Sequence, residues 1–311
     1  MTGDPRGGNG AGATPAAATG ARITERFARG APPPDRAAWI DGRLVRGADA
    51  TVSLFDRGVR EGGGIFETFR VHGGRPFLWA RHLERLVLAA AELGFPVPPS
   101  PDTLRAALDQ VLEANALADA VARITVTRGI AGGRPVRSGC WVEAEPVAHR
   151  LWRGTRTGEG AAILSRQPFA PGTLGRYKTT SRLAYTLAAD EARAAGADEA
   201  ILLTRQGEVL EGSASNVFLH VDGQIATPSH HTGILAGITR AFVLHACYDM
   251  GFALRTSAVW RDELFIADEV FLTNAVQGVV PIVAIDGRRI RSRGIAPRVR
   301  EAIERAVAAG F

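Results

Sequence analysis

Of the 37 basic residues in this chain of 311, every one except Lys178 is arginine. A guanidinium stays protonated in a protein, whereas a partly desolvated lysine can lose its proton and attack a carbonyl to form a Schiff base. A chain that writes its positive charge as arginine and keeps one primary amine points to imine chemistry at that position. The competing reading is a lysine left on a solvated loop without a task. A second candidate lies downstream, where LAGITR sets Gly237 before a helix start. The backbone N–H groups of Ile238 and Thr239, with the Thr239 hydroxyl, can there face an anion. Many helices begin this way, so the run is weak evidence alone. Adjacent His230 and His231 have poor geometry for a metal without further ligands and read as structural or solvated. No metal site is expected.

The stretch that positions the lysine is GTLGRYKTTSRLAYTLAADEARAAGADEAILLTRQGEVLEGSASNVF, residues 172–218. Thr179, Thr180 and Ser181 offer N-cap hydroxyls, Leu183, Leu187 and Ala188 follow at helical spacing, and Gly196 reads as a stop. Lys178 would then sit just before a helix N-terminus, whose positive potential favours the neutral amine. Residues 200–204 read as a short apolar strand, Gln206-Gly207 as a turn and 209–211 as the returning strand.

Elsewhere the chain divides readily. Residues 1–37 are rich in Gly, Ala and Pro without apolar periodicity, and read as a disordered extension. Residues 38–150 form a first domain. WIDGRLV is a hairpin turning at Asp41-Gly42; 65–71 is a strand that turns at Gly73-Gly74; the following helix puts Leu83, Leu86, Val87 and Ala90 on one face. A second helix covers 103–113, and ARITVTRG and CWVEAEPV are strands around the flexible IAGGRPVRSG. This is an α+β arrangement with helices on one side of an antiparallel sheet. Residues 151–175 connect it to a larger α/β domain, 176–311. The strands of that domain are 161–164, inside the connection, and 200–203, 217–221 and 269–273; its helices are 181–195, 239–250 and 297–309.

Composition narrows the function classes. A hydrophobic share of 46% and a charged share of 22% are those of a soluble globular protein, and no apolar run approaches the ~20 residues that span a bilayer. Cys140 and Cys247 form no CxxC pattern, which fits a reducing cytoplasm. The net charge of +5 is spread among acidic residues without a basic block, so neither nucleic acid nor membrane is expected as a partner.

The run from Lys178 through EGSASNVF, then TPSHHTGILAGITR and DEVFLTNAVQGVVPI, resembles the class IV aminotransferases, the fold-type IV enzymes that use pyridoxal 5'-phosphate (PLP). That family includes branched-chain and D-amino acid aminotransferases and 4-amino-4-deoxychorismate lyase. The resemblance covers residues 39–285. It implies an α/β (α+β) chain with a small N-terminal sheet domain and a larger C-terminal pseudo-barrel, assembled as a homodimer around a small-molecule amino substrate. It makes Lys178 the Schiff-base lysine. Glu211 becomes the carboxylate that keeps the pyridine nitrogen protonated, as an electron sink requires; Asn216 holds the same segment. Arg85 in HLERL, Gly237, Ile238 and Thr239 bind phosphate, and Asn274 and Ala275 form a third phosphate element. Asn274-Ala275, Leu183 following Arg182, and FETFR at 66–70 resemble the lyases more than the branched-chain transaminases. TRGIAGGR resembles a lyase loop with one extra residue, which makes Arg128 and Arg134 candidate substrate residues. Two activities stay open: release of 4-aminobenzoate and pyruvate, or amino-group exchange with a 2-oxo acid.

Overall fold

The computed structural model describes residues 35–130, 139–152 and 158–310. The expected extension therefore lies outside the described residues up to position 34, and so does Arg134. In chain order the first layer holds β1 (Ala37–Ile40), β2 (Arg43–Arg46), the single turn α1 (Arg57–Arg60), β3 (Gly64–His72), β4 (Arg75–Pro76), α2 (Trp79–Glu92), α3 (Pro101–Ala114), β5 (Ala120–Thr127) and β6 (Cys140–Pro146). Its six strands run β2-β1-β6-β5-β3-β4, antiparallel throughout. The β1–β2 hairpin turns where Asp41 and Gly42 adopt φ of 49° and 93°, the left-handed pair that a two-residue turn demands.

Helices α2 and α3 cover one face of this sheet. Helix α3 starts as its sequence dictates: Ser100 accepts from the Thr103 N–H at 3.2 Å, and Pro101 takes the first position, where no N–H is needed. In α2, Leu83, Leu86 and Ala90 are buried as expected, joined by His82 and Ala89. Val87 is 45% exposed, because the buried stripe centres on 82, 86 and 89 and position 87 falls one step beyond it.

The second layer contains β7 (Gly160–Leu164), α4 (Leu183–Ala194), β8 (Glu199–Leu203), β9 (Val209–Gly212), β10 (Asn216–Val221), β11 (Gln224–Pro228), α5 (Ile238–Asp249), β12 (Ala253–Ser257), the short α6 (Glu263–Ile266), β13 (Glu269–Asn274), β14 (Gly278–Ile285), β15 (Arg288–Arg289) and α7 (Ile295–Ala308). The sheet order is β12-β11-β10-β13-β14-β7-β8-β9, with β15 on β14. Strand β9 also lies against β10 and β11, so the sheet curls back on itself. Strand β7 pairs in parallel with both β14 and β8. It is integral to this sheet, which corrects a boundary that left it in a connecting segment: the second layer begins at Gly160. The α4 face also differs from expectation. Ala188 and Ala192 are buried, whereas Leu183 and Leu187 are 73% and 59% exposed.

Candidate active site

Lys178 is held by both layers. The Phe66 N–H donates to its carbonyl at 2.9 Å and the Thr180 N–H to Gly64 at 2.8 Å, so the lysine segment runs as an extra strand fragment along the start of β3. The Thr180 and Ser181 hydroxyls, expected as helix caps, donate instead to the Gly62 carbonyl at 3.0 and 3.1 Å. Helix α4 starts later, with Arg182 as an N-cap whose side chain makes no capping bond. A Cβ on Gly64 would meet the Thr180 hydroxyl oxygen at 2.7 Å, which is why glycine stands at this crossing.

The Lys178 amine lies 4.7 Å from the centre of the Phe66 ring. Burial, then the nearby guanidiniums of Arg182 and Arg85, lower its pKa from 10.5 to about 7, although Glu67 opposes them. The neutral amine is therefore accessible near pH 7. The cause is desolvation and like charge; the helix start that the sequence places beside the amine begins only at Leu183.

A cleft open to solvent brings Lys178 together with Arg85, Glu211, Asn216, Gly237, Ile238, Thr239, Asn274 and Ala275. In one wall the buried Glu211 accepts from the Tyr185 hydroxyl at 3.1 Å through one oxygen. Its other oxygen accepts from the Leu235 N–H at 3.2 Å and the Asn216 amide at 3.5 Å. Burial raises its pKa from 4.5 to about 7 against these bonds and the fields of Arg182 and Lys178. The turn behind it is clamped by buried Glu199, which accepts from the Ser213 hydroxyl, the Ala214 N–H at 3.2 Å and the Ser215 hydroxyl at 2.9 Å.

Another wall is built from donors. Gly237 caps α5 without a side-chain bond, leaving the first amides of that helix without intrahelical partners. Any side chain at Gly237 is excluded, since a Cβ would lie 2.0 Å from the Asn216 carboxamide oxygen. Arg85 presents a guanidinium pinned by two 2.7 Å bonds to Glu67 and one of 2.8 Å to the Ala236 carbonyl. His82 donates to the same Glu67 carboxylate at 2.7 Å. Burial alone would raise Glu67, yet Arg85 and His82 pull its pKa down to about 2. The hydroxyl of Thr273, a buried residue of the cleft wall, has no hydrogen-bond partner among the described residues. An orphaned donor beside free helix amides and an anchored guanidinium fits a phosphate.

Asn274 faces the cleft while its carboxamide oxygen accepts from the Val276 and Gln277 N–H groups at 2.9 and 2.6 Å, so only its amide N–H bonds remain for a ligand. Arg128 does not line this cleft. It donates to the Leu93 carbonyl at 2.6 Å and its guanidinium lies 5.4 Å from the Phe95 ring centre, tied to the end of α2. His230 is structural: its Nε2 accepts from Arg240 at 2.8 Å. The buried Arg240 is otherwise bonded to the Thr227 hydroxyl and the Pro228 carbonyl, and burial lowers its pKa to about 10. His231 is exposed.

The sequence model described as Amino-transferase class IV matches residues 64–285. The chain belongs to the class IV aminotransferases. It is 33% identical to the aminodeoxychorismate lyase of Bacillus subtilis, over 80% of this chain and 86% of that one. It is 34% identical to the branched-chain-amino-acid aminotransferase of Pseudomonas aeruginosa, over 82% and 87%. Its fold superposes with a TM-score of 0.78 on the branched-chain aminotransferase of the archaeon Thermoproteus uzoniensis with norvaline, at 30% identity over 88% and 95% of the two chains. This class IV aminotransferase is thus a PLP-dependent enzyme, and its cleft fits that cofactor: donors for a phosphate, an amine for an aldehyde and a carboxylate for a ring nitrogen.

Sequence reasoning gave no role to Arg182, Tyr185 and Thr273, which line the cleft, or to Glu67, which anchors Arg85 beside it. Glu67 left a signal, because it alternates with Ile65, Phe69 and Val71 on the apolar face of β3. A carboxylate in such a row is buried and must be paired.

Proposed function

We propose that the enzyme is a 4-amino-4-deoxychorismate lyase, which releases 4-aminobenzoate and pyruvate. The observation that carries this reading is a pair of guanidiniums near Lys178. Arg182 lines the cleft, Arg123 lies 3.8 Å over the Phe66 ring on which the amine also rests, and both lower the basicity of that amine. Two fixed cations suit a substrate with two carboxylates. When bound, PLP supplies the sink for the electron pair freed at the amine-bearing carbon. Lys178, its neutral form accessible near pH 7, removes the proton from that carbon. Glu211 holds a proton at the ring nitrogen. The bond from the adjacent ring carbon to the ether oxygen then breaks, enolpyruvate departs and ketonises, and the carbocycle becomes aromatic. Ala275 places a methyl where the resemblance assigns a hydroxyl to transaminases.

The alternative keeps Lys178 in the same role and transfers the amino group of a D- or branched-chain amino acid to a 2-oxo acid. The purified enzyme, given aminodeoxychorismate without any oxo acid, should release pyruvate and 4-aminobenzoate in equal amounts over many turnovers. Turnover that requires 2-oxoglutarate as acceptor would overturn the lyase reading.

A homodimer belongs to the same proposal. Leu54, Phe55 and Val59, 71%, 61% and 56% exposed, lie on the segment that the Ser181–Gly62 bond joins to the start of α4, where Leu183 and Leu187 are also exposed. A second copy of the chain covering this apolar surface predicts twice the chain mass in light scattering; a monomer at micromolar concentration would refute it.

A further inference from the structure

Tyr185 lines the cleft and is held there by two ring contacts and one hydrogen bond. It stands in the first turn of α4, beside the N-cap Arg182. Its ring meets Phe169 at 4.7 Å between centroids, inclined by 64°. The Arg182 guanidinium lies 4.2 Å over the same ring, and that guanidinium is itself fixed by a 2.5 Å bond to the Ser213 carbonyl. Two contacts thus hold the phenol ring, and one of them is tied to the turn that follows Glu211. The consequence is a hydroxyl that can point only one way, at a Glu211 oxygen 3.1 Å distant.

Glu211 needs that constraint. Its second oxygen is anchored by the Leu235 N–H and the Asn216 amide, and those bonds alone leave the first oxygen to turn about the end of the side chain. A carboxylate that must meet a ring nitrogen in the plane of that ring works well only when its rotation is set beforehand.

We propose that Tyr185, braced by Arg182 and Phe169, is a positioning residue that orients the Glu211 carboxylate toward the pyridine nitrogen of the bound cofactor. The inference rests on Glu211 being the partner of that nitrogen. Burial and the neighbouring carboxylate raise the Tyr185 phenol above its ordinary range, so it stays a donor throughout the working pH range. The bland alternative is that the hydroxyl merely satisfies a buried acid.

The test uses the full-length apoprotein and two ligands, PLP and its carbocyclic analogue in which carbon replaces the ring nitrogen. Tyr185→Phe keeps the ring against Arg182 and Phe169 and deletes only the hydroxyl. The expected result is that Tyr185→Phe binds PLP about two- to tenfold more weakly, as one hydrogen bond implies, and binds the analogue as the wild type does. Glu211→Gln should lose most of the wild-type preference for PLP over the analogue. Equal weakening for both ligands, or no weakening for either, would overturn the proposal. Borohydride reduction separates its failure from that of the cofactor reading. Wild-type protein that is reduced at Lys178 with both ligands, yet binds them equally well, removes the roles of Glu211 and Tyr185 and leaves the imine standing. Protein that is reduced with neither ligand removes both.

Discussion

Glu67 and Glu211 are both buried glutamates at the cleft, 1% and 4% exposed, and their surroundings have driven them in opposite directions. Glu67 has an arginine fork on its two oxygens and an imidazole donor on one of them, and is pulled down to about 2. Glu211 has a phenol, a backbone amide and a distant carboxamide, and burial pushes it up to about 7. The first is electrostatically closed: its charge is answered inside the protein, and its work is to hold Arg85 in place. The second is electrostatically open, which is what a group waiting for a cationic nitrogen should be. Residue type and burial are alike, so the partners alone drive the two acids in opposite directions.

Removing each carboxylate should expose that difference. Glu67→Gln strips the counter-charge from a guanidinium and should cost about 3–5 kcal/mol of stability at pH 7, measured by chemical denaturation. Because the folded pKa of Glu67 lies below its unfolded value, its contribution is complete above about 4.5 and fades as pH falls toward 2. The deficit of the variant should therefore shrink in acid. Glu211→Gln should behave oppositely. The folded pKa is raised, so the wild-type apoprotein loses about 3 kcal/mol relative to the variant as pH climbs from 4.5 through 7. The two should match near pH 4.5, with the variant the more stable at pH 8. A Glu67→Gln protein as stable as wild type, or a Glu211→Gln protein whose stability parallels wild type at every pH, would erase the distinction.

The open groups were easier to read from sequence than the closed ones. Lys178 stood out as the lone amine, and the EGSASN and GITR runs drew attention to Glu211, Asn216 and the head of α5, because those residues flank a tight turn or open a helix with a recognisable local pattern. Glu67 and Tyr185 are set by contacts between segments distant in sequence. Glu67 meets Arg85 because α2 packs on β3, and Tyr185 meets Glu211 because α4 packs on β8, the strand paired with β9. The expected hydroxyl caps of α4 failed for a related reason: Thr180 and Ser181 had stronger use as straps to Gly62 across the two layers. The motif named Arg128 without its direction, which the fold sets toward the Leu93 carbonyl at the end of α2. Strand β7 was legible as a strand, but its place in the sheet depends on two parallel neighbours that no local pattern reveals.

Thr273 has the opposite polarity to Glu211. Glu211 is an acceptor without a cation; Thr273 is a donor without an acceptor among the described residues, buried to 1% exposure with its hydroxyl unpaired. A hydroxyl that found no use in the apoprotein is a net cost there, so Thr273→Val, which keeps the shape and deletes the donor, should leave apoprotein stability unchanged or raise it by up to about 1 kcal/mol. If that hydroxyl is meant for the phosphate, the variant should bind PLP a few-fold more weakly, as loss of one such bond implies, and pyridoxal as well as wild type does. Calorimetric titration of the two ligands measures the contrast. A clear loss of apoprotein stability would show that Thr273 is closed within the protein like Glu67. Equal weakening toward both ligands would show that it supports the wall of the cleft and takes no part in holding the anion.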